Sequence, residues 1–258
     1  MRSPPGLVAL FAATALLLAG VAPASAEQVR YDDPVAADPL AGRIVVLDPG
    51  HQLGNSAHPH KVGWLVPAGG FTKPCNTTGT STDGGFPEAT FTWRVALLLR
   101  DRLERRGARV LLTRDTNSRS DWGPCVDRRG RAGNEVGADL KVSLHGDGNH
   151  GGGPGFHVIA PPDRKPWTRD IYQPSQRFAK VVRHRLRVVG LPVAKYIAGG
   201  DGLDVRADLG TLNLSDVPVV LVELGNMRDR ADAHRMTTRT GRARYARALA
   251  AATYRFLR

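Results

Sequence analysis

Two histidines and a glutamate stand where runs that read as strands end: His51 after Asp48-Pro49-Gly50, His145 after Ser143-Leu144, and Glu223 after Leu221-Val222. Each can hold a metal ion or move a proton. Neutral imidazoles suit zinc, and a catalytic zinc site typically adds one protein carboxylate and leaves a position for water. Glu88 is the candidate for that carboxylate, because it follows Pro87 at the start of a long helix and ends the long segment that leaves His51. Taken singly, each residue has an ordinary explanation. A strand-end histidine is commonly a hydrogen-bonded structural residue, and an acid in a first helical turn complements the helix dipole by about 0.3–1 kcal/mol. Together they form a pattern that chance rarely supplies. A metal that acidifies water and polarises a carbonyl, beside a second carboxylate able to move a proton, is equipment for hydrolysis.

The elements that must position these residues follow from periodicity. Residues 43–48 form a β-branched run stopped by Pro49-Gly50. From Pro87 onward, Phe91, Val95, Leu98, Leu99 and Leu103 share one helical face, and Gly107 supplies the stop. Further strands are predicted at 108–113, 139–144, 156–160 and 217–222, and further helices at 127–136, 175–189 and 241–257. The stretch 52–86, rich in Gly, Pro, Thr and Asn, is too long for an ordinary connection and predicts a binding loop or a small inserted hairpin. Strands alternating with helices predict an α/β domain around a mostly parallel sheet. In such sheets ligands gather outside the carboxyl ends of the strands, where His51, His145 and Glu223 fall.

Composition sets the frame. Arg2, the apolar run from Leu7 to Ala19 and Ala24-Ser25-Ala26 predict a cleaved signal peptide over residues 1–26. The run breaks at Gly20 and Pro23, short of the ~20 apolar residues that a bilayer span needs. A leader is expected at 27–42 and a single catalytic domain at 43–258, with no stable membrane insertion after signal removal and a monomeric state. The formal net charge of +12 favours anionic partners. Most basic residues are Arg and they are spread along the whole chain, so charge alone does not argue for nucleic acid, and no nucleic-acid partner is expected. Cys75 and Cys125 lack C-x-x-C spacing, which excludes a structural zinc site built from thiolates. In an exported chain they are expected to pair, closing a ~50-residue loop and restricting the unfolded chain by roughly 4 kcal/mol.

Four motifs bring these observations together: Asp48-Pro49-Gly50-His51, Leu112-Thr113-Arg114-Asp115, Ser143-Leu144-His145-Gly146-Asp147, and the run from Pro218 to Met227 that contains Glu223-Leu224-Gly225-Asn226. In type and order they resemble the zinc-dependent N-acetylmuramoyl-L-alanine amidase family of the AmiC and CwlV type, over residues 43–257. The resemblance implies that His51, Glu88 and His145 ligate Zn2+ and that Glu223 is the catalytic carboxylate. It also implies a mixed sheet flanked by helices on both faces. The implied substrate is peptidoglycan or its muropeptide fragments, cut between the lactyl carbonyl of N-acetylmuramic acid and L-alanine. The implied location is secreted, in the cell wall or periplasmic space. Two departures stand out: Gly146 replaces the usual Ala, and the stretch from His51 to Glu88 is longer than in compact members, with Asp83 as the nearest competing acid.

Arg128, Asp147, Arg206 and Asn226 are candidates to line the groove, with Asn226 placed to orient the neighbouring carboxylate or the substrate. His58 and His60 could hold a second metal but read more simply as a surface pair, and His150, His157, His184 and His234 read as surface or packing residues. Two other readings stay open at this point: a non-catalytic wall-binding module of the same fold, and a zinc peptidase acting on stem peptides. The absence of H-E-x-x-H weighs against the second.

Overall fold

The computed structural model describes Met1 and residues 38–258. The signal peptide expected at 1–26 and the leader up to residue 37 lie outside the described residues. The packed body already includes the end of that leader, because Leu40 is fully buried and its N–H donates to the carbonyl of Arg106 at 2.8 Å.

A six-stranded sheet forms the centre: β1 (Ile44–Pro49), β4 (Arg109–Leu112), β5 (Leu140–Asp147), β6 (His157–Ala160), β7 (Leu203–Val205) and β8 (Val219–Asn226), in the order β4-β1-β5-β8-β6-β7. Every pairing is parallel except β6 with β8, so the sheet is mixed and mostly parallel, as expected. A second sheet of two antiparallel strands, β2 (Leu65–Pro67) and β3 (Thr72–Pro74), is the hairpin expected within 52–86; the short helix α1 (Pro59–Gly63) precedes it.

Strand alternation assigns the two faces of the large sheet. Val45 and Leu47, Leu140, Val142 and Leu144, Val220 and Val222, and Val158 all enter one large core. The helices α2 (Glu88–Glu104), α4 (Arg169–Val188) and α7 (Arg239–Leu257) supply its other wall through Phe91, Leu99, Phe178, Val182, Tyr245 and Leu249. The opposite face carries Val46 and Asp48, Lys141, Ser143 and His145, Val219, Leu221 and Glu223: polar at the carboxyl ends and, Lys141 apart, apolar toward the strand starts. The short helices α3 (Val126–Arg131) and α5 (Gly210–Asn213) lie on this side, and α6 (Arg230–Thr237) follows β8. Lys141 is fully buried here, donating from Nζ to the carbonyls of Arg129 and Gly130, and burial pushes its pKa down to about 8.

Cys75 and Cys125 form a disulfide, tying the segment after β3 to the residue before α3. No helix among the described residues is long and apolar enough to cross a membrane. The helix predicted at 127–136 is shorter in the structure, ending at Arg131. Conversely, α4 begins at Arg169, ahead of the predicted 175, because it runs through Pro174, which costs one helical N–H without ending the helix.

Candidate metal centre

His51 leaves β1 with φ of 59°, in the left-handed region that side chains other than glycine enter at a cost of order 1–3 kcal/mol. Such a conformation persists only where its surroundings dictate it, and here three successive carbonyls are held by buried donors. That of Pro49 accepts from Arg114 Nε at 3.1 Å and Arg129 Nη1 at 2.8 Å, that of Gly50 from Thr92 Oγ1 at 3.0 Å, and that of His51 from Arg129 Nη2 at 2.7 Å. Gly50 leaves room for the second imidazole, since a Cβ there would overlap the ring of His145.

The rings of His51 and His145 meet edge to face with centroids 5.0 Å apart. His51 Nδ1 lies 3.1 Å from the carbonyl oxygen of Thr77, a contact that places the proton of the neutral ring on Nδ1 and leaves Nε2 as an acceptor. Nε2 faces Glu88, 3.2 Å from Oε1, and His145 Nδ1 is 3.0 Å from the same oxygen. Glu88 occupies the first turn of α2, buried, with Oε2 accepting from Thr80 N at 2.9 Å and Oε1 from Gly146 N at 3.1 Å. Gly146 therefore acts through its backbone; a Cβ there would come 3.1 Å from the buried side chain of Met227, which would have to give by a few tenths of an ångström to admit an alanine. At Gly79 there is no such room, because a Cβ would stand 2.8 Å from His51 Cδ2 and 2.9 Å from Glu88 Oε2.

One ligand atom from each of His51, Glu88 and His145 lies within 4.8 Å of the other two, and no other group of three His, Cys, Asp or Glu does so among the described residues. For metal–ligand bonds of ~2.0–2.1 Å in tetrahedral array, ligand atoms stand about 3.3 Å apart, close to the contacts here. The electrostatics agree. Burial opposes a negative charge on Glu88, yet the two imidazoles outweigh it and hold the carboxyl well below the ordinary range. Burial likewise opposes protonation of His51, but Glu88 prevails and raises its pKa. A site that draws positive charge into buried surroundings, with two nitrogen donors and one oxygen donor, suits a divalent transition metal.

Glu223 is in register with His145 on β5 and with His157 on β6, so the three side chains share one face of the sheet. Its Oε2 is buried without a hydrogen-bond partner. Burial, and after it the charges of Glu88 and Asp147, push its pKa well above the usual carboxylate value. Beside His51 and His145 opens a cavity of about 180 Å³, walled by Val126, Leu209 and Leu221 and by Lys73 and Pro74 of the hairpin. The 52–86 segment thus supplies both a hairpin and part of the wall.

The remaining candidates divide. Asp147 lies close enough to Glu223 to raise its pKa, and Arg206 to oppose that rise, although Arg206 is committed to Asp208 through contacts of 2.9 and 2.7 Å. Asn226 does not orient the carboxylate. Its Nδ2 donates to the carbonyls of Asn149 and Gly153 and its Oδ1 accepts from Arg228 N, so the whole amide is spent on backbone. Arg128 is exposed and lines a separate cavity with Arg114 and Trp122; its neighbour Arg129 is the buried one. Asp83 is exposed and pairs with Arg228, outside the cluster. His58 bonds the carbonyl of Ser120. His157 is buried directly across from Glu223, and burial lowers its pKa.

Below the cluster, Asp48 is fully buried and accepts from Arg129 Nη1 and Thr113 Oγ1, both at 2.6 Å, and from Ser143 Oγ at 2.7 Å. Burial alone would raise its pKa, but Arg129 and the two hydroxyls hold it far below the ordinary range. A folded-state pKa depressed in this way contributes stability that is fully present above the unfolded value of ~3.9 and is lost as pH falls toward the folded value. The urea midpoint of the wild type is therefore expected to fall steeply below about pH 4, and Asp48→Asn to flatten that decline. Equal acid slopes for the two proteins in urea titrations would remove Asp48 as a cause.

Comparison with known proteins gives a consistent picture. The sequence profile of a family described as N-acetylmuramoyl-L-alanine amidase matches residues 45–254. The chain is 42% identical over 246 residues to the N-acetylmuramoyl-L-alanine amidase Rv3717 of Mycobacterium tuberculosis, covering 93% of this chain and 97% of that protein. Among solved structures, the apo form of the N-acetylmuramyl-L-alanine amidase Ami1 from Mycobacterium abscessus is 44% identical, with a TM-score of 0.78 over 84% of this chain and all of that one. The catalytic domain of CwlV from Bacillus (Paenibacillus) polymyxa, at 18% identity, shares the fold with a TM-score of 0.60, over 83% of this chain and 98% of that one.

Proposed function

The chain belongs to the N-acetylmuramoyl-L-alanine amidase family, and from that premise we propose how its residues carry out the hydrolysis, with zinc as the metal. It is an amidase of peptidoglycan, cutting between the lactyl group of N-acetylmuramic acid and the L-alanine of the stem peptide. His51, Glu88 and His145 would hold Zn2+. Bound there, zinc would acidify a water and polarise the scissile carbonyl. Glu88 and the two imidazoles leave the assembled site with one net positive charge, which favours an attacking anion. Glu223 takes the proton of the attacking water on its carboxylate and hands it to the departing alanine nitrogen. A carboxyl whose proton affinity is raised by burial, and whose Oε2 has no partner within the fold, is suited to both transfers.

The observation that carries this reading is the convergence of two imidazoles and one carboxylate from three distant segments, beside a second carboxylate in register with one of them. Residues 1–26 are proposed to direct export, the remainder to act as a monomer in the cell wall or periplasmic space, and the basic surface to favour an anionic wall. Metal analysis and mass spectrometry of digested peptidoglycan test the assignment together. The expected result is one zinc per chain and stem peptides with a free N-terminal L-alanine, leaving intact muramic acid. Cleavage between D-residues would make the protein a peptidase, and no release would make it a wall-binding module.

A further inference from the structure

Arg129 is 3% exposed, yet each of its five N–H groups has an acceptor. Nε donates to the carbonyl of Pro124 at 2.9 Å, Nη1 to Asp48 Oδ1 at 2.6 Å and the carbonyl of Pro49 at 2.8 Å, and Nη2 to the carbonyls of His51 at 2.7 Å and Gly123 at 3.2 Å. One carboxylate accounts for the charge. The other four donors go to carbonyls, two at the end of β1 and two in the turn before α3. An ammonium could satisfy Asp48, but only a planar fork of five donors serves four carbonyls at fixed angles as well.

We infer that Arg129 is a positioning residue for the metal ligand His51, setting the direction in which its imidazole leaves the backbone. The inference rests on the zinc reading above. His51 sits at φ of 59°, and its ring is anchored at Nδ1 by Thr77. The ring points at Glu88 only while the peptide following it keeps its orientation, and that peptide's carbonyl is the one Arg129 holds. Released from Arg129, residue 51 is free to relax toward negative φ, and the peptide flip swings Nε2 away from Glu88 and His145. Arg129 thus belongs to the outer layer that orients a ligand, the layer whose loss typically weakens metal binding roughly 10–100-fold.

The test compares wild type with Arg129→Lys in three measurements: zinc affinity by competition with a chromophoric chelator, thermal unfolding of the metal-free protein, and the visible spectrum of the cobalt(II)-loaded protein, which reports ligand geometry. The expected result is a cooperative metal-free transition, zinc affinity lower by roughly 10–100-fold, and an altered cobalt spectrum. Unchanged zinc affinity and an unchanged cobalt spectrum would overturn the inference, even if unfolding came at a lower temperature. Weak zinc binding by the wild type itself would instead defeat the zinc reading. If the lysine variant does not fold, Asp48→Asn with Arg129→Gln removes both buried charges together, and the same measurements decide. Wild-type zinc affinity in a folded double variant, or failure of both variants to fold, would leave Arg129 a part of the fold alone.

Discussion

Glu223→Gln is expected to abolish peptidoglycan hydrolysis while leaving one zinc bound per chain. The amide keeps the size of the side chain and its place on β8 between His145 and His157, so nothing in the ligand cluster has to move. What it removes is proton transfer. General acid–base catalysis by one positioned group is typically worth ~10²–10⁴-fold, and Glu223 is assigned both transfers, so the loss should reach the upper end of that range. Stability should not suffer, because the ionised carboxylate is held in buried surroundings near the charges of Glu88 and Asp147, and a neutral amide is relieved of both penalties. Turnover of a soluble muropeptide, metal content and thermal unfolding of the metal-free variant check the three parts. A variant with near-wild-type turnover would remove Glu223 from the mechanism.

Glu88→Gln is expected to fail differently, losing metal first and activity as a consequence. The carboxylate is the only negative ligand proposed; it lies within 3.2 Å of a nitrogen of each imidazole and accepts from the N–H groups of Thr80 and Gly146. Replacing it by an amide leaves a donor nitrogen facing at least one of those donors. Losing even an outer partner of a metal ligand typically costs ~10–100-fold in affinity, and loss of a charged ligand should exceed that. Excess zinc in the assay separates the two variants: it should restore part of the activity of Glu88→Gln and none of that of Glu223→Gln. Zinc affinity equal to wild type would exclude Glu88 as a ligand.

What could be read in advance, and what could not, has physical reasons. The strands β1 and β8 are largely β-branched or aliphatic runs, β5 alternates Leu140, Val142 and Leu144 with polar residues, and α2 and α7 have apolar faces extending over several turns, so pattern locates them. The strand β7 and the helix α5 have three and four residues, too short for a period to show. Strand ends direct attention to His51, His145 and Glu223, but not to what surrounds them. His157 reads as an unremarked strand residue until the antiparallel pairing of β6 with β8 puts it opposite Glu223. Thr77 reaches His51 Nδ1 through its backbone carbonyl, which carries no trace in residue type, and through its hydroxyl, which nothing in the sequence pattern singles out. In the pair Arg128-Arg129, composition cannot tell the exposed arginine from the buried one; the turn of α3 decides it. Asn226 misleads for a related reason, since proximity in sequence to Glu223 says nothing about where its amide is spent.

The bridge between Cys75 and Cys125 ties together two segments that both reach His51. Thr77, which anchors the His51 ring, lies two residues after one half-cystine, and Arg129, which holds the His51 carbonyl, lies four after the other. Both grips on one histidine therefore hang from a single covalent staple. Thiols stay separate in a reducing cytosol and couple in an oxidising space, so under reducing conditions the segments bearing Thr77 and Arg129 would lack that covalent tie to each other. If the chain is exported, as proposed above, the staple would join those two grips only after export.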